Sequence, residues 1–110
     1  MSKLHPQTLA IRASKEQTPF NEHQQALFLT SSFMADSAAD AAAIFAKTKE
    51  GYTYSRTANP TIAAFQKRIA ALENAEAGIA TATGMAAIQA ALLTFLSAGD
   101  HLVSSRSLFG

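Results

Sequence analysis

The stretch Ala-Gly-Ile-Ala-Thr-Ala-Thr-Gly-Met-Ala-Ala-Ile-Gln-Ala-Ala-Leu-Leu-Thr-Phe-Leu, residues 77–96, decides the fold class together with His-Leu-Val-Ser-Ser at 101–105. Residues 77–83 are small, with Ile79 as the β-branched aliphatic, and read as a short buried strand. From Gly84 to Leu96 almost every residue is apolar, including Met85, Ile88, Leu92, Leu93 and Phe95. A helix that is apolar around most of its circumference is expected to be buried on several sides. Ser97-Ala98-Gly99-Asp100 stops it, and 101–105 reads as a second strand. Strand, helix and strand in this length form a βαβ unit with parallel strands and a right-handed crossover. A parallel sheet needs more than two strands and cover on both faces. The expectation is therefore an α/β fold whose sheet continues beyond Gly110.

Upstream, Asn59-Pro60 has the form of an N-cap followed by proline at the first helical position, where no backbone donor is needed. Ile62, Phe65, Ile69 and Leu72 then form one apolar stripe of an amphipathic helix, with Gln66, Lys67, Arg68 and Glu73 elsewhere on its surface. Ser37 is suited to cap an alanine-rich helix from Ala38 to about Lys47, carrying Ile44 and Phe45, with Gly51 at or just beyond its end. Residues 26–34 read as an extended segment that packs on something larger. Residues 1–25 are polar, contain Pro6 and Pro19, and read as an extended or loosely ordered arm.

Composition narrows the function classes. The chain has 110 residues, 48% hydrophobic and 15% charged, which is low in charge for so small a body. Such a surface expects a partner, either more chain or another subunit. A net charge of +1 without a basic cluster argues against nucleic acid. The absence of cysteine excludes disulfides and thiolate metal sites, and His5, His23 and His101 are too scattered to suggest a metal site. The first residues lack the apolar core of a signal peptide, and no run approaches the ~18 apolar residues of a membrane helix. A soluble cytoplasmic protein is expected.

Two short motifs carry phosphate chemistry. Residues 52–61, Tyr-Thr-Tyr-Ser-Arg-Thr-Ala-Asn-Pro-Thr, present a phenol at Tyr54 and a guanidinium at Arg56 just before a helix start. Arginine holds phosphate oxygens in a fixed, charge-assisted fork. In an extended segment alternate residues point the same way, so the two side chains can converge on one anion. In the second motif, Gly84 lies where a strand turns into a helix, leaving backbone N–H groups open to an anion that glycine allows close. Each motif has an ordinary alternative: an exposed tyrosine beside a solvated arginine, and a glycine that serves packing. No Walker or Rossmann pattern points to a nucleotide.

Taken together, the motifs resemble those of the Cys/Met-metabolism family of pyridoxal-phosphate enzymes. Tyr52, Tyr54, Ser55, Arg56, Asn59, Pro60 and Thr61 match its first motif, and Thr83, Gly84 and Met85 its second, within a similarity spanning roughly 29–110. The resemblance implies a fold-type-I transferase fold (aspartate-aminotransferase-like), of which this chain would hold the N-terminal arm and the first βαβ portion of the large domain. It implies pyridoxal 5′-phosphate as cofactor, its phosphate held by the backbone N–H groups of Gly84 and Met85. It also implies a homo-oligomer in which Tyr54 and Arg56 reach a neighbouring subunit's cofactor and the arm wraps that neighbour. Residues 1–58 would form this arm and helix, and 59–110 the start of the cofactor-binding domain.

In many family members a tyrosine stacks on the cofactor ring where this chain has Phe109. Stacking needs only a ring face and survives, whereas the phenolic acid/base does not. Phe109, preceded by Ser105-Arg106-Ser107-Leu108, looks most like the O-succinylhomoserine sulfhydrylase branch. Cystathionine γ-synthase, methionine γ-lyase and a non-catalytic phosphate-binding or subunit-interaction module stay open. The chemistry also needs a lysine to form a Schiff base with the cofactor aldehyde. None of Lys3, Lys15, Lys47, Lys49 and Lys67 lies in the family's Ser-x-Thr-Lys setting. That lysine and the acid for the pyridine nitrogen are expected beyond Gly110, leaving this portion inactive alone.

Overall fold

The computed structural model describes residues 4–14 and 18–108. Its helices are α1 (Pro6–Arg12), α2 (Ala38–Phe45), α3 (Pro60–Leu72) and α4 (Gly84–Phe95). The chain divides into two compact units, residues 1–80 and 81–110.

In the first unit, α1 packs against α3. Pro6–Arg12 is thus helical where an extended or loosely ordered run was expected. His5-Pro6 explains it: the His5 side chain accepts from the Gln7 N–H and Pro6 occupies the first helical turn. That is the device that starts α3, where the Asn59 side chain accepts from the Thr61 N–H ahead of Pro60. Arg68 on α3 donates from Nε to the hydroxyl of buried Ser14 at 3.0 Å, tying down the end of α1.

The buried apolar residues of α3 are not the expected stripe. Ala64 is 2% exposed and Ala70 7%, whereas Ile62, Phe65, Ile69 and Leu72 remain open to solvent. Small side chains let neighbouring backbone approach closely, so the alanine positions are packed within this unit while the larger stripe stays exposed. Ala64→Leu in the full-length protein is expected to destabilise by about 1–3 kcal/mol through overpacking. The shift in denaturant midpoint measures it, and an unchanged midpoint would show that the site is not packed.

α2 is capped by Ser37, whose hydroxyl accepts from the Asp40 N–H at 3.1 Å. It ends at Phe45, short of Lys47, and Gly51 does not end it. Lys47 takes the left-handed conformation at φ 57, and the Thr48 N–H closes on the Ala43 carbonyl, a Schellman ending without glycine. Gly51 serves close approach instead: an added Cβ would come within 2.7 Å of Ile44 Cδ1. Lys49 donates to Asp40 Oδ1 at 2.5 Å. This bond, then that from Ser37, holds the Asp40 carboxyl below its ordinary range, and the bond to Asp40 raises Lys49. The pair's small stabilising effect is therefore present above the ordinary aspartate pKa and fades as pH falls through the lowered one. At the alkaline end it fades as pH rises through the raised lysine pKa.

The second unit holds α4, started by Thr83, whose hydroxyl accepts from the Ala86 N–H at 3.1 Å. The expected strands 77–83 and 101–105 do not form. Among the described residues the β pairing is an isolated antiparallel bridge between Ser32 and Tyr54. Ile79, expected inside, is 87% exposed, and α4, expected to be buried on several sides, has no buried residue. The cause is the same for both. A parallel strand takes its hydrogen bonds and its cover from chain distant in sequence, and no described segment supplies that edge or that layer.

Candidate functional site

The first candidate site is a turn held against an earlier segment of the chain. The Phe33 N–H donates to the Thr53 carbonyl at 3.0 Å and the Ser55 N–H to the Ser31 carbonyl at 2.8 Å. After Tyr54 the backbone leaves this pairing and turns, the N–H groups of Thr57 and Ala58 both donating to the Tyr54 carbonyl at 2.9 and 3.1 Å. Residues 54–56 are therefore not an extended run, and strand alternation is not what unites Tyr54 and Arg56. The turn brings the Arg56 guanidinium carbon 5.3 Å from the centroid of the Tyr54 ring. A cation over an aromatic face is attracted to it. Both side chains are exposed. A phenol O–H and a guanidinium fork thus stand side by side on a surface, an arrangement that suits a phosphate.

Three residues of this motif were passed over as chemistry by sequence reasoning. Asn59 is 6% exposed; besides capping α3, its Nδ2 donates to the Phe28 carbonyl at 3.1 Å and to Ser55 Oγ at 2.9 Å. The Ser55 hydroxyl in turn donates to the Thr30 carbonyl. Thr61 Oγ1 accepts from the Phe28 N–H at 2.8 Å. The available signal was an asparagine with Ser55 ahead of it and Thr61 after it in one short motif, more polar capacity than a cap needs.

The second candidate site is the start of α4. Thr83 takes the N–H of Ala86, the third helical residue. The two N–H groups ahead of it, on Gly84 and Met85, have no acceptor among the described residues. A Cβ built on Gly84 meets nothing within 4 Å, so the space over this backbone is open. It borders a cleft of about 560 Å³ lined by Thr83, Gly84, Met85, Ile88 and Leu108. Two free donors at the positive end of a helix suit an anion, and the Met85, Ile88 and Leu108 side chains suit a flat apolar ring. These residues fit a pyridoxal phosphate. Phe109, the expected stacking residue, lies outside the described residues.

Among the described residues no group of His, Asp and Glu side chains is placed to hold a metal ion, and no helix is long and apolar enough to cross a membrane.

Comparison with known proteins gives a consistent picture. Residues 7–110 match the family model for Cys/Met metabolism PLP-dependent enzymes. An O-succinylhomoserine sulfhydrylase of Pseudomonas aeruginosa is 54% identical over 103 residues, which are 94% of this chain and 26% of that protein. An L-methionine gamma-lyase of Fusobacterium nucleatum is 42% identical over 103 residues, again 94% of this chain and 26% of that protein. The crystal structure of an O-acetylhomoserine (thiol)-lyase from Campylobacter jejuni superposes with a TM-score of 0.81 at 30% identity. It covers 88% of this chain and 24% of that one, and contains N′-pyridoxyl-lysine-5′-monophosphate. The chain thus spans about a quarter of the length of the proteins it matches.

Proposed function

We propose, since this chain belongs to the Cys/Met metabolism family of pyridoxal-phosphate-dependent enzymes and shares their type-I fold, that the whole protein is an O-succinylhomoserine sulfhydrylase. It would replace the γ-succinyl group of O-succinylhomoserine with sulfide, giving homocysteine for methionine biosynthesis. The observation that favours this activity within the family is the 54% identity to the Pseudomonas sulfhydrylase, against 42% to the Fusobacterium lyase over an equal length.

When bound, the cofactor supplies an electron sink for carbanion character developing on the substrate. The residues of this chain do the holding. The Gly84 and Met85 N–H groups donate to the phosphate, aided by the α4 dipole. The Arg56 fork and the Tyr54 hydroxyl donate to the phosphate of a neighbouring subunit's cofactor, so that residues 1–58 act as an arm on that neighbour and 59–110 begin the cofactor-binding domain. Met85, Ile88 and Leu108 keep water from the ring. Phe109 would offer the cofactor ring an aromatic face and, lacking a hydroxyl, would have no proton to move. Proton transfer then belongs to a lysine elsewhere in the whole protein, which works in the cytoplasm as a homo-oligomer.

Methionine γ-lyase is the second reading, supported by the 42% relative. Purified full-length protein is to be assayed with sulfide plus O-succinylhomoserine, with sulfide plus O-acetylhomoserine, and with methionine alone. The succinyl ester is expected to be preferred in kcat/KM by at least about tenfold, because a pocket that pairs the extra carboxylate is left with unpaired donors by the acetyl ester. Methionine breakdown faster than homocysteine formation would replace this reading with the lyase.

A further inference from the structure

Once Tyr54 and Arg56 are assigned to a phosphate, the buried polar residue of the same motif still requires explanation. The Asn59 carboxamide bonds in three directions. Oδ1 accepts the Thr61 N–H at 2.8 Å; Nδ2 donates to the Phe28 carbonyl at 3.1 Å and to Ser55 Oγ at 2.9 Å. Ser55 extends the link, its hydroxyl to the Thr30 carbonyl and its N–H to the Ser31 carbonyl. Thr61 closes it by accepting the Phe28 N–H. The segment 28–31 is therefore pinned to both flanks of the turn that carries Arg56.

We propose that Asn59 is a positioning residue for the phosphate site: its carboxamide clamps the 54–58 turn to segment 28–31 and so fixes the point from which Arg56 reaches the anion. This rests on the reading of Arg56 as a phosphate ligand. A cap alone does not need asparagine, since aspartate caps a helix about as well. The clamp does need it. An aspartate keeps the acceptor toward Thr61 but has no N–H for Phe28 and Ser55, and sets a carboxylate oxygen against a carbonyl. Asn59→Asp therefore separates the two roles.

The test is a titration of cofactor-free, full-length protein with pyridoxal phosphate, read by absorbance, for wild type, Asn59→Asp, Arg56→Ala and the double variant. Thermal midpoints of the cofactor-free proteins are recorded alongside. Asn59→Asp is expected to bind about tenfold more weakly, and the loss in the double variant to fall well short of the sum of the two single losses, because the clamp acts chiefly through the arginine. Ser55→Ala keeps the cap and removes the two links made by the Ser55 hydroxyl; a smaller loss, reduced in the Arg56→Ala background, is expected even if Asn59→Asp fails to fold. Wild-type affinity in both Asn59→Asp and Ser55→Ala, with or without a lowered midpoint, overturns the clamp. So does a loss that adds in full to that of Arg56→Ala. If Arg56→Ala itself binds normally, the phosphate role of Arg56 fails first, and the clamp with it.

Discussion

Alanine at position 56 of the full-length protein is expected to weaken pyridoxal phosphate binding by about 10- to 100-fold, leaving the thermal midpoint of the cofactor-free protein nearly unchanged. Hydrogen bonds to charged groups contribute about 1.5–3 kcal/mol each, and 1.4 kcal/mol is a tenfold change in affinity. The fold, by contrast, asks little of this side chain. Arg56 is exposed, and among the described residues it lies over the Tyr54 ring, a type of contact that contributes about 0.5–1 kcal/mol at an exposed site. Arg56→Lys keeps the charge and loses the fork, and should fall between the two. An absorbance titration that superposes on wild type would remove Arg56 from the site.

Gly84→Val reverses the usual expectation for a glycine. A Cβ added at Gly84 meets nothing of the protein within 4 Å, and the residue is not among those with positive φ. The fold therefore tolerates the change and gains a little from the lower entropy of the unfolded chain. The ligand does not tolerate it, because the branched side chain fills the space through which an anion approaches the Gly84 and Met85 N–H groups. Losing both donors is expected to weaken cofactor binding by at least about 100-fold. Calorimetric titration checks the affinity, and a melting curve checks the fold. A tight-binding Gly84→Val protein would show that the phosphate does not sit at the start of α4.

Much of the local architecture was legible in the residues. Ser37 and Asn59 cap the helices they were expected to cap, and α4 begins at Gly84. The periodicity of Ile62, Phe65, Ile69 and Leu72 marks a helix correctly, but a period says which face is apolar and not what covers it. The covered positions are Ala64 and Ala70 instead. α1 was missed because the arm is polar, although His5-Pro6 repeats the Asn59-Pro60 signature. The strands were overstated for a different reason, since a ladder depends on chain far away in sequence that no pattern within the strand reveals.

The site divides in the same way. Tyr54 and Arg56 stood out by side-chain chemistry, yet they meet by a turn and a ring face rather than by strand alternation. The second half of Asn59's work was invisible because its partner, the Phe28 carbonyl, lies 31 residues away. Sequence marks a capping residue by its immediate followers and carries no sign of the backbone brought opposite its amide.

The measurement that bears most directly on a phosphate site assembled from two subunits is complementation between two defective proteins. Arg56→Ala and Gly84→Val proteins, each binding cofactor weakly, are unfolded together and refolded as a mixture. In a mixed pair one site combines the intact Arg56 of one subunit with the intact Gly84 of the other, while the second site carries both defects. Random two-fold pairing then restores tight binding to roughly a quarter of all sites. Recovery of that fraction is the expected result; a mixture that binds no better than the separate variants would contradict a shared site.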